Sequence, residues 1–235
     1  MAVTDEAIEQ IKAMIATGAL KPGDRLPPEK ELSTSLGLSR NSLREAVKAL
    51  TVVGVLDVRR GDGTYVTSLE PRLLMDAVSF VLDLHDDTVI LDIFGVRRML
   101  EAPASGIAAQ RATSEDVAAL YAEVDRVSNV VDVEQLVEHD TRFHRAIVAL
   151  AGNAYLSGVI DTMTTHTVRA RIWRGVMESG AIARTLAEHR AIVDAIAAGD
   201  AELAAAANMV HINGVERWLR QARVRAGFEP DPLRG

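Results

Sequence analysis

The sequence of 235 residues contains no cysteine. Disulfide frameworks, cysteine-ligated zinc, iron–sulfur clusters and thiol catalysis are therefore excluded. Aromatic residues make up only 4% of the chain, which argues against a single-strand nucleic-acid binder that stacks bases. No apolar run approaches the roughly 20 residues of a membrane span, and the N-terminus lacks the layout of a signal peptide. We therefore expect a cytoplasmic protein with no membrane partner.

The composition that remains is that of a globular protein, with 48% hydrophobic and 25% charged residues. The length corresponds to one or two domains. The net charge of −7 argues weakly against nucleic-acid binding by the whole surface. However, residues 25–60 contain seven Lys or Arg and only four Asp or Glu. The acidity therefore belongs to the rest of the chain, and one N-terminal segment is locally cationic.

Strand-like sequence occurs once, at Val55–Thr67, where two β-prone runs flank a turn that contains Asp62-Gly63. After Pro71 the periodicity is helical to about Gly227. We predict two domains, a small one over residues 1–68 and an all-helical one over residues 73–227.

The small domain has the element order of a winged helix-turn-helix. A first helix carries Ile8, Ile11 and Ile15 at helical spacing. Two further helices are predicted over Glu29–Leu36 and Arg40–Val53, and the hairpin follows as a two-stranded wing. The segment from Gly18 to Asp24 is predicted to be a loop.

The larger domain is predicted to be an antiparallel helical bundle, since the connections between its helices are short. The fold class is therefore mainly α. The predicted helices cover Leu73–Asp83, Thr88–Arg111, Glu115–Asn129, Val133–Leu150, Tyr155–Met177, Ile182–Ala198 and Asp200–Arg225.

Cationic and polar residues of the third helix and the wing predict binding of double-stranded DNA. Arg40 and Arg44 lie at i and i+4, opposite the apolar stripe of their helix. Arginine pairs with guanine and asparagine with adenine in the major groove. The alternative is an ordinary solvated face. The candidate residues are Lys30, Arg40, Asn41, Ser42, Arg44, Lys48, Arg59, Arg60 and Gly61.

Three histidines and one aspartate are predicted to face the bundle interior. Asp140 and His144 share one helix face, and His189 and His211 are about equally far from the turn between the last two helices. Four such groups would be costly to bury unpaired, and a shared divalent ion (Zn, Ni or Mn) would satisfy them. The alternative is that they are ordinary hydrogen-bonded core residues, as we expect for His85, His139 and His166.

The N-terminal motifs resemble the DNA-binding domain of the GntR family. The resemblance implies a winged helix-turn-helix repressor that binds a palindromic operator as a homodimer. Lys30, Arg40, Ser42, Arg44, Arg60 and Gly61 match the family's DNA-contacting positions. Lys30 stands where several members carry arginine, so we expect it to bind phosphate rather than read a base. The motifs are Leu26–Leu32, Leu38–Ala46, Gly54–Leu56 and Gly61–Val66.

The helical part resembles the FCD effector domain of the FadR-type subfamily. The resemblance implies that Asp140, His144, His189 and His211 ligate a metal that keeps positions open for a small carboxylate effector. It also implies that Arg97 pairs with that acid, and we extend the expectation of an effector contact to Asn153. The matching segments are Val96–Glu101, Ala108–Thr113, Asp140–His144, Gly152–Leu156, Glu188–Ile192 and His211.

The resulting hypothesis is a transcriptional regulator whose operator affinity responds to a metabolite. One alternative is that the bundle is a metal-dependent enzyme, since a metal with an open position activates water. The sequence shows no general base beside the cluster, no glycine-rich phosphate loop and no nucleophile motif. We therefore expect no enzymatic activity. A second alternative is a purely structural metal.

Overall fold

The structure, a computed structural model, describes residues 3–84, 89–127 and 132–226. The chain divides into two compact units, Met1–Val78 and Ser79–Gly235. The predicted fold class is confirmed: a helix-turn-helix with a two-stranded wing is followed by a helical bundle. Thr88 and Asn129, the predicted ends of two helices, lie outside the described residues, as do His85 and Gly227.

Three short helices build the first unit: α1 (Val3–Ala16), α2 (Glu29–Ser35) and α3 (Arg40–Val52). Their apolar faces enclose a small core that includes the fully buried Ile11 and Leu43. Ser39 begins α3, because its hydroxyl accepts a hydrogen bond from the Ser42 N–H and satisfies a donor of the first turn. The cap fixes where α3 starts and which of its side chains face solvent.

The wing is an antiparallel pair of β1 (Leu56–Arg59) and β2 (Gly63–Val66). The end of the predicted loop, together with the two residues that follow it, runs alongside β2. Gly23 N–H donates to Val66, Val66 N–H to Asp24, and Leu26 N–H to Thr64. Leu26 precedes Pro27, a position that favours extended backbone. The chain entering α2 therefore adds an extended segment to the wing.

Eight helices follow within the described residues. The first, α4 (Pro71–Asp83), contains the boundary between the two units. The others are α5 (Ile90–Arg111), α6 (Ser114–Arg126), α7 (Val133–Leu150), α8 (Ala154–His166), α9 (Val168–Met177), α10 (Ala181–Ala197) and α11 (Ala201–Arg225).

The prediction of one continuous helix over Tyr155–Met177 is wrong, because the chain breaks at Thr167 between α8 and α9. The Thr164 carbonyl accepts hydrogen bonds from the N–H of Thr167 (3.2 Å), its hydroxyl (2.9 Å) and the Arg171 guanidinium (2.8 Å). Threonine is a weak helix former whose hydroxyl competes for backbone partners. The Thr167 hydroxyl therefore favours the break, and an arginine from the next helix helps to hold it.

Helix α5 is the central helix of the second unit and is buried on several sides. Small residues allow this: a methyl group at Gly106 would lie 2.8 Å from the Ala201 carbonyl oxygen at the start of α11. Asp132 and Asp200 cap α7 and α11, since each side chain accepts a hydrogen bond from its helix's first turn. The core includes Phe143, Ile147 and Ile192, each of which lies within one helical turn of a candidate metal ligand.

Candidate metal centre and nucleic-acid interface

The structure brings Asp140, His144, His189 and His211 together as a buried cluster. His211 Nε2 lies 3.1 Å from His144 Nε2 and 3.3 Å from His189 Nε2. Asp140 Oδ1 lies 3.3 Å from His189 Nε2, 3.5 Å from His211 Nε2 and 3.7 Å from His144 Nε2. One donor atom from each of four side chains, carried by α7, α10 and α11, therefore faces a common point.

The outward nitrogens of two of these rings contact carboxylates. His144 Nδ1 lies 2.6 Å from Glu101 Oε2, and His211 Nδ1 lies 2.8 Å from Glu188 Oε2. An ionised carboxylate only accepts hydrogen bonds, so His211 Nδ1 donates to Glu188, whereas His144 Nδ1 contacts Glu101 as an ion pair without hydrogen-bond geometry. In the neutral His211 ring this leaves the Nε2 lone pair directed at the common point. Carboxylates that orient histidines in this way are typical of metal sites.

The third ring, His189, is oriented by another histidine. His189 Nδ1 lies 3.0 Å from His139 Nε2, and His139 Nδ1 lies 3.1 Å from Glu123 Oε1. Because Glu123 accepts, His139 donates to it and accepts from His189. Burial holds the pKa of His189 well below its usual value. The neutral His189 ring thus also presents its Nε2 lone pair to the cluster.

Asp140 is held as a carboxylate by Arg171. The Arg171 guanidinium donates to Asp140 Oδ2, while Oδ1 faces the histidines. Burial opposes ionisation of Asp140, but the charge of Arg171 outweighs it, so the pKa lies well below its usual range. Burial likewise lowers the pKa of His144, but the charges of Glu101 and Asp140 outweigh it and raise that pKa. The centre therefore favours a positive charge.

The donor set fits a divalent cation. Three imidazole nitrogens about 3 Å apart repel one another unless a positive charge lies between them, and a cation, unlike one proton, is shared by all three. Nitrogen and carboxylate ligands suit Zn, Ni or Mn. Glu101, Glu188 and His139 then act as the outer hydrogen-bonding groups that such sites use.

A small cavity lies beside the cluster and is lined by Asp140, His211 and two buried arginines, Arg171 and Arg174. Its volume is about 20 Å³, which is room for about one water molecule. Arg174 Nε lies 2.5 Å from Glu178 Oε2. Cations and polar donors beside a candidate metal are suited to an anionic ligand.

The two predicted effector residues lie elsewhere. Arg97 is buried and pairs with Glu101 (Nε to Oε1, 2.6 Å) and with the Thr167 hydroxyl (2.9 Å). It supports the histidine cluster through Glu101 and does not line the cavity. Asn153 is exposed, and its side chain accepts from the N–H groups of Tyr155 and Leu156. That contact caps α8, which is the ordinary role of an asparagine at this position.

The predicted DNA-reading residues of α3 share one exposed region. Arg40, Asn41 and Arg44 are exposed, whereas Ser42 is partly buried in the Ser39 cap. Arg44 Nε lies 2.9 Å from a Glu29 carboxylate oxygen, and Lys48 pairs with Glu45 in the same way. Exposed ion pairs contribute about 0–1 kcal/mol, so DNA can replace them.

The wing carries its own cations. The Arg59 guanidinium lies 4.2 Å from the centre of the Tyr65 ring and contacts Asp57. Arg60 and Gly61 at the turn are exposed, as is Lys30 on α2. Within residues 3–84, neither Arg60 nor Lys30 forms an ion pair. Arg59 therefore has a fixed position, and Arg60 is available to an external partner.

Sequence reasoning missed several residues of the centre: Glu101, Glu123, Glu188, His139 and Arg171. A signal existed for Glu101, which lies one helical turn after Arg97 on a segment rich in alanine.

None of the described helices combines the length and apolar character needed to cross a bilayer. Two family models match the chain: "Bacterial regulatory proteins, gntR family" over residues 3–66 and "FCD domain" over residues 92–214.

Among curated proteins, the galactonate operon transcriptional repressor of Escherichia coli (strain K12) is 30% identical over 93% of this chain and 97% of its own length. A regulatory protein of the same organism, assigned by its name to the L-lactate dehydrogenase operon, is 31% identical over 93% of this chain and 87% of its own. A solved structure described as Streptococcus agalactiae GntR has a TM-score of 0.67 at 26% identity. It covers 91% of this chain and 99% of that one.

Proposed function

The chain belongs to the bacterial gntR family of regulatory proteins and carries an FCD domain. It is a DNA-binding transcriptional regulator rather than an enzyme, and from this premise we propose that it is a metal-dependent repressor whose operator affinity is lowered by a small carboxylate. The observation that carries the proposal is the convergence of three histidine nitrogens and one carboxylate oxygen beside a cavity lined by arginines.

On the DNA side, we propose that a homodimer binds a palindromic operator. Arg40, Asn41 and Arg44 enter the major groove and read bases, with Ser42 at the phosphate backbone near the start of α3. Lys30 and Lys48 bind phosphates, and Arg59, Arg60 and Gly61 bring the wing to the minor groove or the backbone.

On the effector side, Asp140, His144, His189 and His211 hold the cation. When bound, such a cation supplies a Lewis-acid centre for a carboxylate oxygen. Arg171 and Arg174 are placed to receive the remaining negative charge of the acid. The names of two relatives refer to a galactonate operon and to an L-lactate dehydrogenase operon. Galactonate and lactate are both 2-hydroxy carboxylates, so a 2-hydroxy carboxylate is the effector class that we propose.

The size of the cavity implies a structural change on binding. Room for about one water does not admit a hydroxy acid, so the lining must move, and we propose that Arg171 is the residue that does so. Arg171 binds both Asp140 and the Thr164 carbonyl. A shift of Arg171 would therefore act on the turn between α8 and α9.

That turn also contacts α4. His166 Nε2 lies 2.9 Å from Ser79 Oγ, and His166 Nδ1 lies 3.6 Å from Asp83 Oδ1. Helix α4 follows the wing along the chain. We propose that the acid changes the position of α4 through Arg171 and His166, and so shifts the population of DNA-competent molecules.

Calorimetry tests the effector site. Metal-free protein is prepared with a chelator, reloaded with Zn²⁺, Ni²⁺ or Mn²⁺, and titrated with L-lactate or D-galactonate. We expect heat of binding only for a metal-loaded sample and its loss in Arg171→Met. Equal binding by loaded and metal-free protein would contradict the proposal. A metal that raises the melting temperature without any acid binding would show a purely structural ion.

A further inference from the structure

Two glycines of the wing turn have different reasons to be glycine. Gly61 has a φ of +78°, a conformation that other residues adopt only with strain. Gly63 does not have a left-handed φ, so its backbone would accept a side chain. A side chain there would displace Arg25, since a methyl group at Gly63 would lie 2.5 Å from Arg25 Nε and 3.1 Å from Arg25 Cζ.

The Arg25 guanidinium therefore lies directly against the backbone of Gly63. Its Nη2 donates a hydrogen bond to the carbonyl of Asp62, inside the turn. Arg25 itself is placed by the extended segment that pairs with β2, where it forms a bridge with Tyr65. The backbone on both sides of Arg25 is thus held by hydrogen bonds to β2, and this backbone position allows the guanidinium to reach the turn.

The same turn carries the proposed DNA contacts of the wing. The Tyr65 hydroxyl donates to Asp62 Oδ2 at 2.9 Å, and Arg59 lies over the Tyr65 ring. The Asp62 N–H closes the turn onto the Arg59 carbonyl at 3.1 Å. Arg25 donates a hydrogen bond to the backbone carbonyl of Asp62 and so fixes the backbone that presents Arg60 and Gly61.

Arg25 also lies in the wall of the cleft between the wing and the helix-turn-helix. This cleft has a volume of about 380 Å³ and is lined by Glu29 of α2, Val47 of α3 and the turn residues of the wing. The distance between α3 and the wing tip across this cleft sets whether both reach one DNA site. A residue that ties the segment before α2 to the wing tip controls that distance.

The geometry points to Arg25 as a positioning residue for DNA binding, with Gly63 as the surface that accepts it. In this role Arg25 acts through the wing backbone and needs no contact with DNA. The interaction depends on the planar guanidinium, which lies against Gly63 and also donates a hydrogen bond to the Asp62 carbonyl. The ammonium of lysine is a point charge and cannot do both.

The experiment is a double-mutant cycle that uses the full chain. Arg25→Ala, Gly63→Ala and the double variant are compared with the wild type in fluorescence anisotropy. The probe is a duplex selected from a random library by the wild-type protein. Each single variant is expected to bind about tenfold more weakly, roughly the loss of one or two wing contacts. Because both changes break the same contact, the double variant is expected to bind no more weakly than the weaker single variant.

Arg25→Lys separates positioning from charge. If Arg25 positions the wing, the lysine variant binds as weakly as Arg25→Ala. Lys21→Ala, an exposed change on the preceding loop, is the control and is expected to bind like the wild type. Hydrogen exchange of the β1 and β2 amides in DNA-free protein gives a second readout, with faster exchange in Arg25→Ala and Gly63→Ala.

Three results would overturn the inference: wild-type affinity in Gly63→Ala, full rescue by Arg25→Lys, or additive losses in the double variant. The first two would assign Arg25 to a direct charge contact with phosphate, and the third would give the two residues separate roles. All variants are measured without acid, so the result is independent of the proposed effector site.

Discussion

His139 Nε2 lies 3.0 Å from His189 Nδ1, and this contact places a second imidazole between a candidate metal ligand and the Glu123 carboxylate. The ligand's orientation thus depends on residues of α6 and α7 as well as on its own helix. Phe143 stacks on the His189 ring with centroids 4.1 Å apart. This hydrogen bond and the stacking contact therefore help to fix the His189 ring.

We predict that His139→Leu weakens metal binding about 10- to 100-fold, the usual effect of losing an outer hydrogen bond to a ligating histidine. The measurement is competition with a chromophoric chelator for Zn²⁺. Glu123→Gln is the matched variant, since its amide oxygen still accepts from His139, and its loss should be smaller. Equal metal affinity in His139→Leu and the wild type would show that the hydrogen bond from His189 to His139 does not orient the His189 ring.

The exposed cations of α3 predict two kinds of protein variant with different effects on DNA binding. Arg44→Ala should cost about 1–3 kcal/mol at one base position and relax the preference there. Lys48→Ala should weaken binding to all sequences alike and reduce the slope of log K against log salt by about 0.9. Binding selections and salt titrations measure the two effects. A uniform loss in Arg44→Ala would assign it to a phosphate instead.

The contact between His166 and α4 predicts a variant that binds the effector but does not respond to it. In His166→Leu the bonds to Ser79 and Asp83 are lost, while Arg171 and the metal ligands remain. Calorimetry should show near-normal acid binding, and anisotropy should show a smaller effect of acid on DNA affinity. Thr165→Ala, its exposed neighbour, is the control. An unchanged response in His166→Leu would place the coupling elsewhere.

The close approach of α5 and α11 predicts a stability difference between two glycines of one helix. A methyl group at Gly106 meets the backbone of Ala201, whereas one at Gly95 meets nothing within 4 Å. Gly106→Ala should destabilise the second unit by about 1–3 kcal/mol, and Gly95→Ala should be neutral or stabilising by up to about 1 kcal/mol. Thermal unfolding of both variants provides the comparison.

The arrangement of His189 and His211 could be predicted from the sequence because an antiparallel hairpin has fixed geometry. Residues equally far from a turn lie level, and the rise per residue is constant. The i, i+4 spacing of Asp140 and His144 placed them together by the same logic. The structure then put all four donor atoms within 4.8 Å of one another.

The supporting residues could not be predicted in this way. Glu101 and Arg171 come from helices whose rotation depends on packing, and α5 has no single apolar face that would fix it. The break at Thr167 depends on donors from Arg97 and Arg171, which are distant in sequence from each other. Arg25 was missed because the extended segment that places it was predicted in part as a loop.

The central claim is that a carboxylate bound at the histidine cluster controls DNA affinity. The direct measurement is the dissociation constant of the selected duplex for Zn²⁺- or Ni²⁺-loaded protein, with and without a saturating 2-hydroxy carboxylate. The account predicts at least about a tenfold rise in Kd, about 1.4 kcal/mol of coupling. The rise should be absent in His189→Ala. An unchanged Kd across a panel of such acids, in protein shown to contain the metal, would contradict it.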